Sequence, residues 1–330
     1  MRAAVVKEFG PILSHKLDSL PDPAPAPGEV LVTIKAAAVN FVDSLVVTGK
    51  YQFLPERPFA PGKLPAGVVS ALGAGVQDVK VNDRVLTMAE QGGYAERVAI
   101  PARDCFKLPD AMSFVDAAAM ALVYDTAWFA LRERARLQSG ESVLVLGATG
   151  GVGLASIQLA KALGARVLAG VANPEKRALA LDAGADAIID LSKENLREAL
   201  REQVFANNNG SGVDIVLDPV GGDAFEAALR ALAWRGRLVV IGFAAGRIPS
   251  VKANYLLVKN IEVSGLQVSD YRKHRPALMA QCMGEIFALF EAGKLKPAPT
   301  VTRPLEDFAR ALQDVVDRRV AGRVVLVPNP

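Results

Sequence analysis

Ser142-Val143-Leu144-Val145-Leu146-Gly147-Ala148-Thr149-Gly150-Gly151-Val152-Gly153 is a branched apolar run met at once by glycines at 147, 150 and 153. The apolar part reads as a buried parallel strand. Leu154 to Leu163 then carries helical spacing and stops at Gly164. Strand, glycine turn and helix in succession let the backbone approach a pyrophosphate. The free N–H groups and positive dipole end of the helix then meet its charge, with no side-chain cation. The spacing is G-x-x-G-x-x-G rather than G-x-G-x-x-G, so the glycines alone would equally suit a plain turn before a core helix. The surroundings favour the cofactor. Arg166-Val167-Leu168-Ala169-Gly170-Val171 reads as a second strand, ending roughly 20 residues on, where an NAD site places an acid on the ribose. Here Ala172-Asn173-Pro174-Glu175-Lys176-Arg177 follows. No acid closes the strand and two cations come after it, which favours a 2′-phosphate and hence NADP(H). The competing reading of Lys176 and Arg177 is a solvated first helical turn.

Bulk properties narrow the class. The chain has 330 residues, half of them hydrophobic, and a net charge of +3. One large or two ordinary domains are expected, and nothing marks a nucleic-acid or membrane-surface protein. Cys105 and Cys282 are the only cysteines, too few for a disulfide framework or a four-cysteine zinc lobe, and fitting a reducing, cytoplasmic setting. Met1 leads straight into a strand pattern, so no signal peptide is expected. The most apolar helical stretch, 114–131, is broken by Asp116 and Asp125, so no membrane span is expected.

Along the chain, short strands come first: Arg2–Val6, His15–Leu17 pairing with it, Glu29–Val39, Ala66–Gly73, Arg84–Met88 and Tyr94–Ile100. The four prolines in residues 21–27 make a surface loop, since proline lacks a donor and fixes φ. This is barrel-like β structure. From Ser113, a plausible helix cap, the period becomes helical, with one helix over 124–137. Strands at 187–189, 213–217 and 237–241 alternate with helices at 194–204 and 223–233, which means a doubly wound parallel sheet. Helices over 276–292 and 305–317 and a strand over 323–327 close the chain.

These pieces together resemble the zinc-independent quinone oxidoreductases of the medium-chain dehydrogenase/reductase superfamily. The markers are Val39-Asn40-Phe41-Val42-Asp43, Gly49-Lys50-Tyr51, Pro58-Phe59-Ala60-Pro61-Gly62, Asp83-Arg84-Val85, Gly93-Tyr94-Ala95-Glu96, Thr126-Ala127, residues 147–153, Asp218-Pro219-Val220-Gly221-Gly222 and Lys259-Asn260. The resemblance implies an α/β fold, with a Rossmann domain (121–259) inserted in a GroES-like β-barrel domain (1–120 and 260–330) and the cofactor in the cleft between them. Zinc-dependent relatives place Cys where Asn40 stands and a His-Glu pair after Gly62, where this chain has Lys63-Leu64. Thiolate, imidazole and carboxylate are absent there, so no metal is expected. Acceptors that take hydride without a Lewis acid then fit best: quinones and α,β-unsaturated carbonyls.

The same resemblance supplies candidate residues. Asn40 offers an amide to nicotinamide or substrate, or closes an Asx turn at the strand end. Asp43 holds nearby backbone or Tyr51, or caps a helix. Tyr51 donates to the substrate oxygen or walls the pocket. Thr126 lies near the nicotinamide or bonds a preceding helical carbonyl. Gly147, Thr149, Gly150, Gly151, Val152 and Gly153 form the phosphate turn. Gly170, Asn173, Lys176 and Arg177 face the adenosine ribose. Gly242 and Phe243 line the adenosine, and Leu266 the nicotinamide. Arg323 is a lesser phosphate candidate or a surface charge. Three departures stand out: Leu45 and Leu191 replace family tyrosines, the latter over the 2′-phosphate, and Leu64 replaces a glutamate. The proton for reduction would come from solvent or Tyr51.

Two other readings stay open. The scaffold also serves enoyl-thioester and alkenal reductases, and relatives resembling zeta-crystallin or vesicle-associated proteins bind NADPH as structural or RNA-binding partners. The small net charge and lack of a basic, aromatic-rich strip argue against nucleic acid. Ile261–Leu266 reads as a last Rossmann strand with a bare edge, so a homodimer is expected.

Overall fold

The computed structural model of the chain describes residues 1–328. They form two compact units, Met1–Leu122 with the segment from Pro297 onward, and Val123–Lys296.

The first unit opens with β1 (Arg2–Val5) paired antiparallel to β2 (Lys16–Ser19). Next come β3 (Glu29–Ala38), α1 (Phe41–Val47), β4 (Ala66–Leu72), β5 (Arg84–Thr87), β6 (Arg97–Pro101), β7 (Cys105–Lys107) and α2 (Phe114–Met120). Along β3, residues alternate inward and outward, as a strand with one buried face must. Val30, Val32 and Ile34 thereby meet Val69, Val85, Val98 and Ile100 in one core. Three details differ from the sequence reading. α1 was foreshadowed only by the alternative that Asp43 caps a helix, the strand expected over 94–100 begins only at Arg97, and β7 is new.

The second unit begins with α3 (Val123–Trp128), which runs into a π-helical turn over Phe129–Arg134 rather than one continuous α-helix. β8 (Ser142–Val145), α4 (Gly151–Ala162), β9 (Arg166–Val171), α5 (Arg177–Asp182), β10 (Ala187–Asp190), α6 (Leu196–Asn207), β11 (Val213–Asp218), α7 (Gly222–Ala231), β12 (Leu232–Val240), α8 (Ala253–Lys259), β13 (Glu262–Gly265), α9 (Val268–His274) and α10 (Pro276–Glu291) follow. The six strands lie in the order β10-β9-β8-β11-β12-β13, every pair parallel. This is the doubly wound arrangement, whose order reverses between β8 and β11, and ligands bind at the carboxyl ends near that point. Leu144, Leu168, Val216 and Leu238 of the sheet pack with Leu200, Val204 and Phe225 of its helices.

The boundary expected at residue 260 is corrected to 297. β13 pairs with β12 from Arg237↔Glu262 to Val240↔Gly265, as the last Rossmann strand expected over 261–266, and α9 and α10 stay in the same unit rather than joining the barrel domain. Only β14 (Thr300–Pro304), α11 (Phe308–Val316) and β15 (Arg323–Val327) return to the first unit. There β15 lies between β14 and β3. No single described helix is long and apolar enough to cross a membrane.

Candidate functional site

In the second unit the glycine turn sits at the end of β8. Gly147 has φ +60°, and a Cβ there would lie 2.8 Å from Val220 Cγ2. A Cβ on Gly153 would lie 2.4 Å from the Gly147 carbonyl oxygen, so only glycine lets α4 start this close to the turn. Gly150 differs. It is exposed, caps α4, and the nearest atom to an added Cβ is 3.4 Å away. Packing within the chain does not require its bareness. The first N–H groups of α4 lack intrahelical acceptors, and a group seated over Gly150 meets them. α4 begins at Gly151, inside the motif rather than after it, so Gly151, Val152 and Gly153 supply these N–H groups. The sheet topology brings other expected residues to the same carboxyl edge. Thr149 lies in the turn, Gly170 near the end of β9, Gly242 and Phe243 after β12, and Leu266 after β13.

Asn173 follows β9 and its Oδ1 accepts the Glu175 N–H at 2.9 Å, capping the turn that presents Lys176 and Arg177. Arg177 Nη2 donates to Asp190 Oδ2 at 2.8 Å. Asp190 ends β10, in register with Val171 at the end of β9. Hydrogen bonds from Ser192, with Arg177 adding its charge, hold the Asp190 carboxyl below its ordinary value. β9 itself ends without an acid, but the neighbouring strand supplies one. Sequence spacing does not reveal it, because the acid reaches Arg177 only through the pairing of β10 with β9. Leu191 packs over Gly170, its Cδ1 3.1 Å from where a Cβ would stand.

Asp218, fully buried at the end of β11, accepts the N–H groups of Val220 and Gly221 through Oδ1 at 2.8 and 2.9 Å. Its Oδ2 has no partner among the described residues, and burial raises its pKa. Thr126, on α3, is buried. Its neighbour Asp125 pairs with Arg272 of α9 at 2.6 Å, both side chains buried. That pair ties α3 to the helix entered from Leu266 and Gln267.

In the first unit, Asn40 and Asp43 open α1 as a capping box. Asn40 N–H donates to Asp43 Oδ2 at 2.9 Å and Asp43 N–H to the Asn40 carbonyl at 3.0 Å. The Tyr94 hydroxyl also donates to Asp43 Oδ2, at 2.6 Å. Burial pushes the Asp43 carboxyl above its ordinary value, against the opposing pull of Tyr94 and Lys63. Burial and then the Asp43 charge push the Tyr94 phenol well above its own. The Asn40 amide is fixed at both ends: Nδ2 donates to Ala38 O at 3.1 Å, and Oδ1 accepts from Arg323 Nη2 at 2.7 Å. Arg323 Nε reaches Ala119 O. This side chain is not the surface charge weighed for it. It is 8% exposed and orients Asn40. The half-buried Tyr51 ring lies beneath the Lys63 ammonium, 5.7 Å from Nζ to the centroid.

Among the described residues no group of three or more His, Cys, Asp or Glu side chains is placed to hold a metal ion. The side chains at the positions compared above with zinc ligands are an amide held by arginine, a buried leucine and an ammonium, Asn40, Leu64 and Lys63. An ammonium repels a divalent ion, and such a set does not fit zinc.

A barrel-type unit built from both ends of the chain, and a doubly wound unit with a glycine cradle at its switch point, define the medium-chain dehydrogenase/reductase class. Residues 26–110 match the family model "Alcohol dehydrogenase GroES-like domain" and residues 151–283 match "Zinc-binding dehydrogenase". Quinone oxidoreductase-like protein 2 homolog of Nematostella vectensis is 38% identical over 301 residues, 90% of this chain and 81% of that protein. The human synaptic vesicle membrane protein VAT-1 homolog is 32% identical, covering 100% of this chain and 87% of that one. The solved structure of Escherichia coli quinone oxidoreductase complexed with NADPH superposes with a TM-score of 0.91 at 30% identity, over 99% of this chain and 100% of that one. The chain belongs to the zinc-independent quinone oxidoreductase family, and it is an oxidoreductase of the medium-chain superfamily.

Proposed function

We propose that the protein is an NADPH-dependent reductase that delivers hydride to quinones or related α,β-unsaturated carbonyls without a metal. One observation carries the cofactor half: Gly150 is bare where the fold has no need of it, in front of the unpaired N–H groups of α4. A pyrophosphate is the group that uses such a place. Residues 147–153, with Thr149, would hold it. Gly170, Asn173, Lys176 and Arg177 would hold the ribose and its phosphate, Gly242 and Phe243 the adenosine, and Thr126 and Leu266 the nicotinamide. The bound nicotinamide supplies hydride. The chain's own contribution is to orient the acceptor and exclude water. In the first unit Asn40, Asp43 and Tyr51 are assigned to the acceptor side, where Leu45 and Leu64 favour an apolar, unsaturated molecule.

We also infer a homodimer. β13 is the last strand of its sheet, and in the preceding α8 Leu257 and Val258 stand 79% and 77% exposed. An unpaired edge beside bare apolar side chains suits a second copy. Elution at monomer mass over a range of concentrations would remove this inference.

Steady-state NADPH oxidation by the purified protein, with a panel of quinones, enones and enoyl thioesters, tests the activity. Turnover with 1,4-naphthoquinone or a simple enone is expected. Turnover with crotonyl-CoA alone would replace the acceptor class, and inertness to every acceptor would end the reading.

A further inference from the structure

We propose that Lys63 is the electrophile and proton donor of the reaction: its ammonium hydrogen-bonds the acceptor's carbonyl oxygen and protonates it as hydride arrives at carbon. This rests on the reductase reading above.

Three observations carry it. First, Lys63 is 6% exposed, a rare place for a lysine side chain. It lies on the Asn40–Asp43–Tyr51 side of the first unit, over the Tyr51 ring and close enough to Asp43 to act on its charge. Second, its backbone is held rigid. A Cβ on Gly62 would enter the Tyr94 ring at 2.4 Å, and Gly62 has φ +94°. Leu64 is fully buried in the left-handed region at φ 51°, which a leucine seldom adopts. Backbone strain of this kind gathers at functional sites. Leu64 N–H, Gly93 N–H and Tyr94 N–H bond Ala89 O, Gly62 O and Pro61 O at 2.8, 2.9 and 2.8 Å. Third, the ammonium is only partly satisfied. Of its three N–H bonds, one meets Glu90 Oε2 at 2.5 Å and one Glu90 O at 3.1 Å. Glu90 is a more exposed partner, 41% against 6% at the side chain, so the pair joins a buried cation to solvent.

The chemistry balances. Hydride forms a C–H bond at the acceptor's β-carbon, the carbon–carbon π pair shifts to the bond beside the carbonyl, and the carbonyl π bond breaks with its electron pair collecting on oxygen. A Lys63 N–H bond breaks as the O–H bond forms. The acceptor gains H⁻ and H⁺, the nicotinamide is left oxidised, and the lysine amine takes its proton back from water, with Glu90 at the solvent side. A fixed cation at the developing oxyanion lowers the barrier in the same step, and positioned proton transfer contributes about 10²–10⁴-fold.

The test uses the full chain carrying Lys63→Met, Lys63→Ala or Lys63→Arg. NADPH affinity is read by nucleotide fluorescence and turnover with an enone. For K63M we expect NADPH affinity within twofold of wild type and kcat down by about 100-fold or more. K63A should regain at least tenfold in the presence of methylammonium, which a packing role would not produce. K63R keeps the cation but is a poor proton donor, because guanidinium does not give up its proton. It should hold KM near wild type while kcat falls at least tenfold, and it decides the matter if K63M and K63A fail to fold. Wild-type kcat in K63M or K63R, or a K63A variant indifferent to methylammonium, overturns the assignment and leaves the reductase reading intact. A wild-type protein that binds NADPH but reduces no carbonyl acceptor overturns both.

Discussion

Arg323 Nη2 donates a 2.7 Å hydrogen bond to Asn40 Oδ1 across 283 positions of sequence. Both side chains are buried, so neither can exchange the other for water. The arginine fixes which end of the amide is oxygen and which is nitrogen, and Ala38 O confirms the choice from the other side. Arg323→Met is expected to leave Asn40 Oδ1 and Ala119 O without their donor, at about 1–3 kcal/mol. Urea unfolding should record that loss, and acceptor KM should rise more than NADPH affinity falls.

Gly150→Ala separates folding from binding. The added methyl meets nothing closer than 3.4 Å, so melting temperature should stay within a degree or two of wild type. The methyl would stand where a phosphate must approach, and NADPH affinity should fall at least tenfold, about 1.4 kcal/mol. Gly153→Ala should instead damage the fold itself, since its Cβ would lie 2.4 Å from a backbone oxygen.

Asp190 competes for Arg177. Asp190→Asn keeps an acceptor for Ser192 and removes the charge facing the expected 2′-phosphate. The pair is half-open to solvent through Arg177 and adds modest stability, so the change should appear chiefly in nucleotide choice. We expect the NADPH over NADH preference, as a ratio of kcat/KM, to rise about three- to tenfold. An unchanged ratio would place the 2′-phosphate elsewhere.

The Asp43 carboxyl titrates above its unfolded value because it is buried. The folded state therefore binds more protons than the unfolded chain between the two values, and stability falls as pH rises through that window. The contribution is full below the ordinary carboxylate range and is lost above the folded value. Asp43→Asn keeps an oxygen for the Tyr94 hydroxyl and cannot titrate. Denaturant unfolding from pH 4 to 7 should show a shallower fall for the variant than for wild type.

The sequence is most legible where one local rule acts alone. β9 occupies the span the sequence indicates, Arg166–Val171, because a branched run bounded by Gly164 and Pro174 has little alternative. α1 was hidden by Val42, Val46 and Val47, whose branching favours strands. Its true signal was the cap, Asn40 with Asp43 three positions on, which was weighed only as site chemistry or as a lone cap. β13 was legible as the last Rossmann strand over 261–266, but the boundary expected at 260 came too early, because nothing local in the sequence after it marks where the second unit ends. Of the site, the glycine turn was readable from spacing. Arg323 acts on a partner 283 positions away, and Asp190 meets Arg177 only through the pairing of β10 with β9, neither of which spacing reveals. Lys63 was noticed only as a ligand that was not there, although a cation in that loop was the more informative fact.

The position of β15 between β14 and β3 sets an order of assembly. The doubly wound unit is one uninterrupted stretch, Val123–Lys296, and can fold as soon as that stretch leaves the ribosome. The first unit must wait, with the far end of β3 open, until residues 323–327 arrive to fill an interior place in its sheet. Asn40 is made early and oriented late, so the glycine turn of the second unit is complete before Asn40 takes its final orientation.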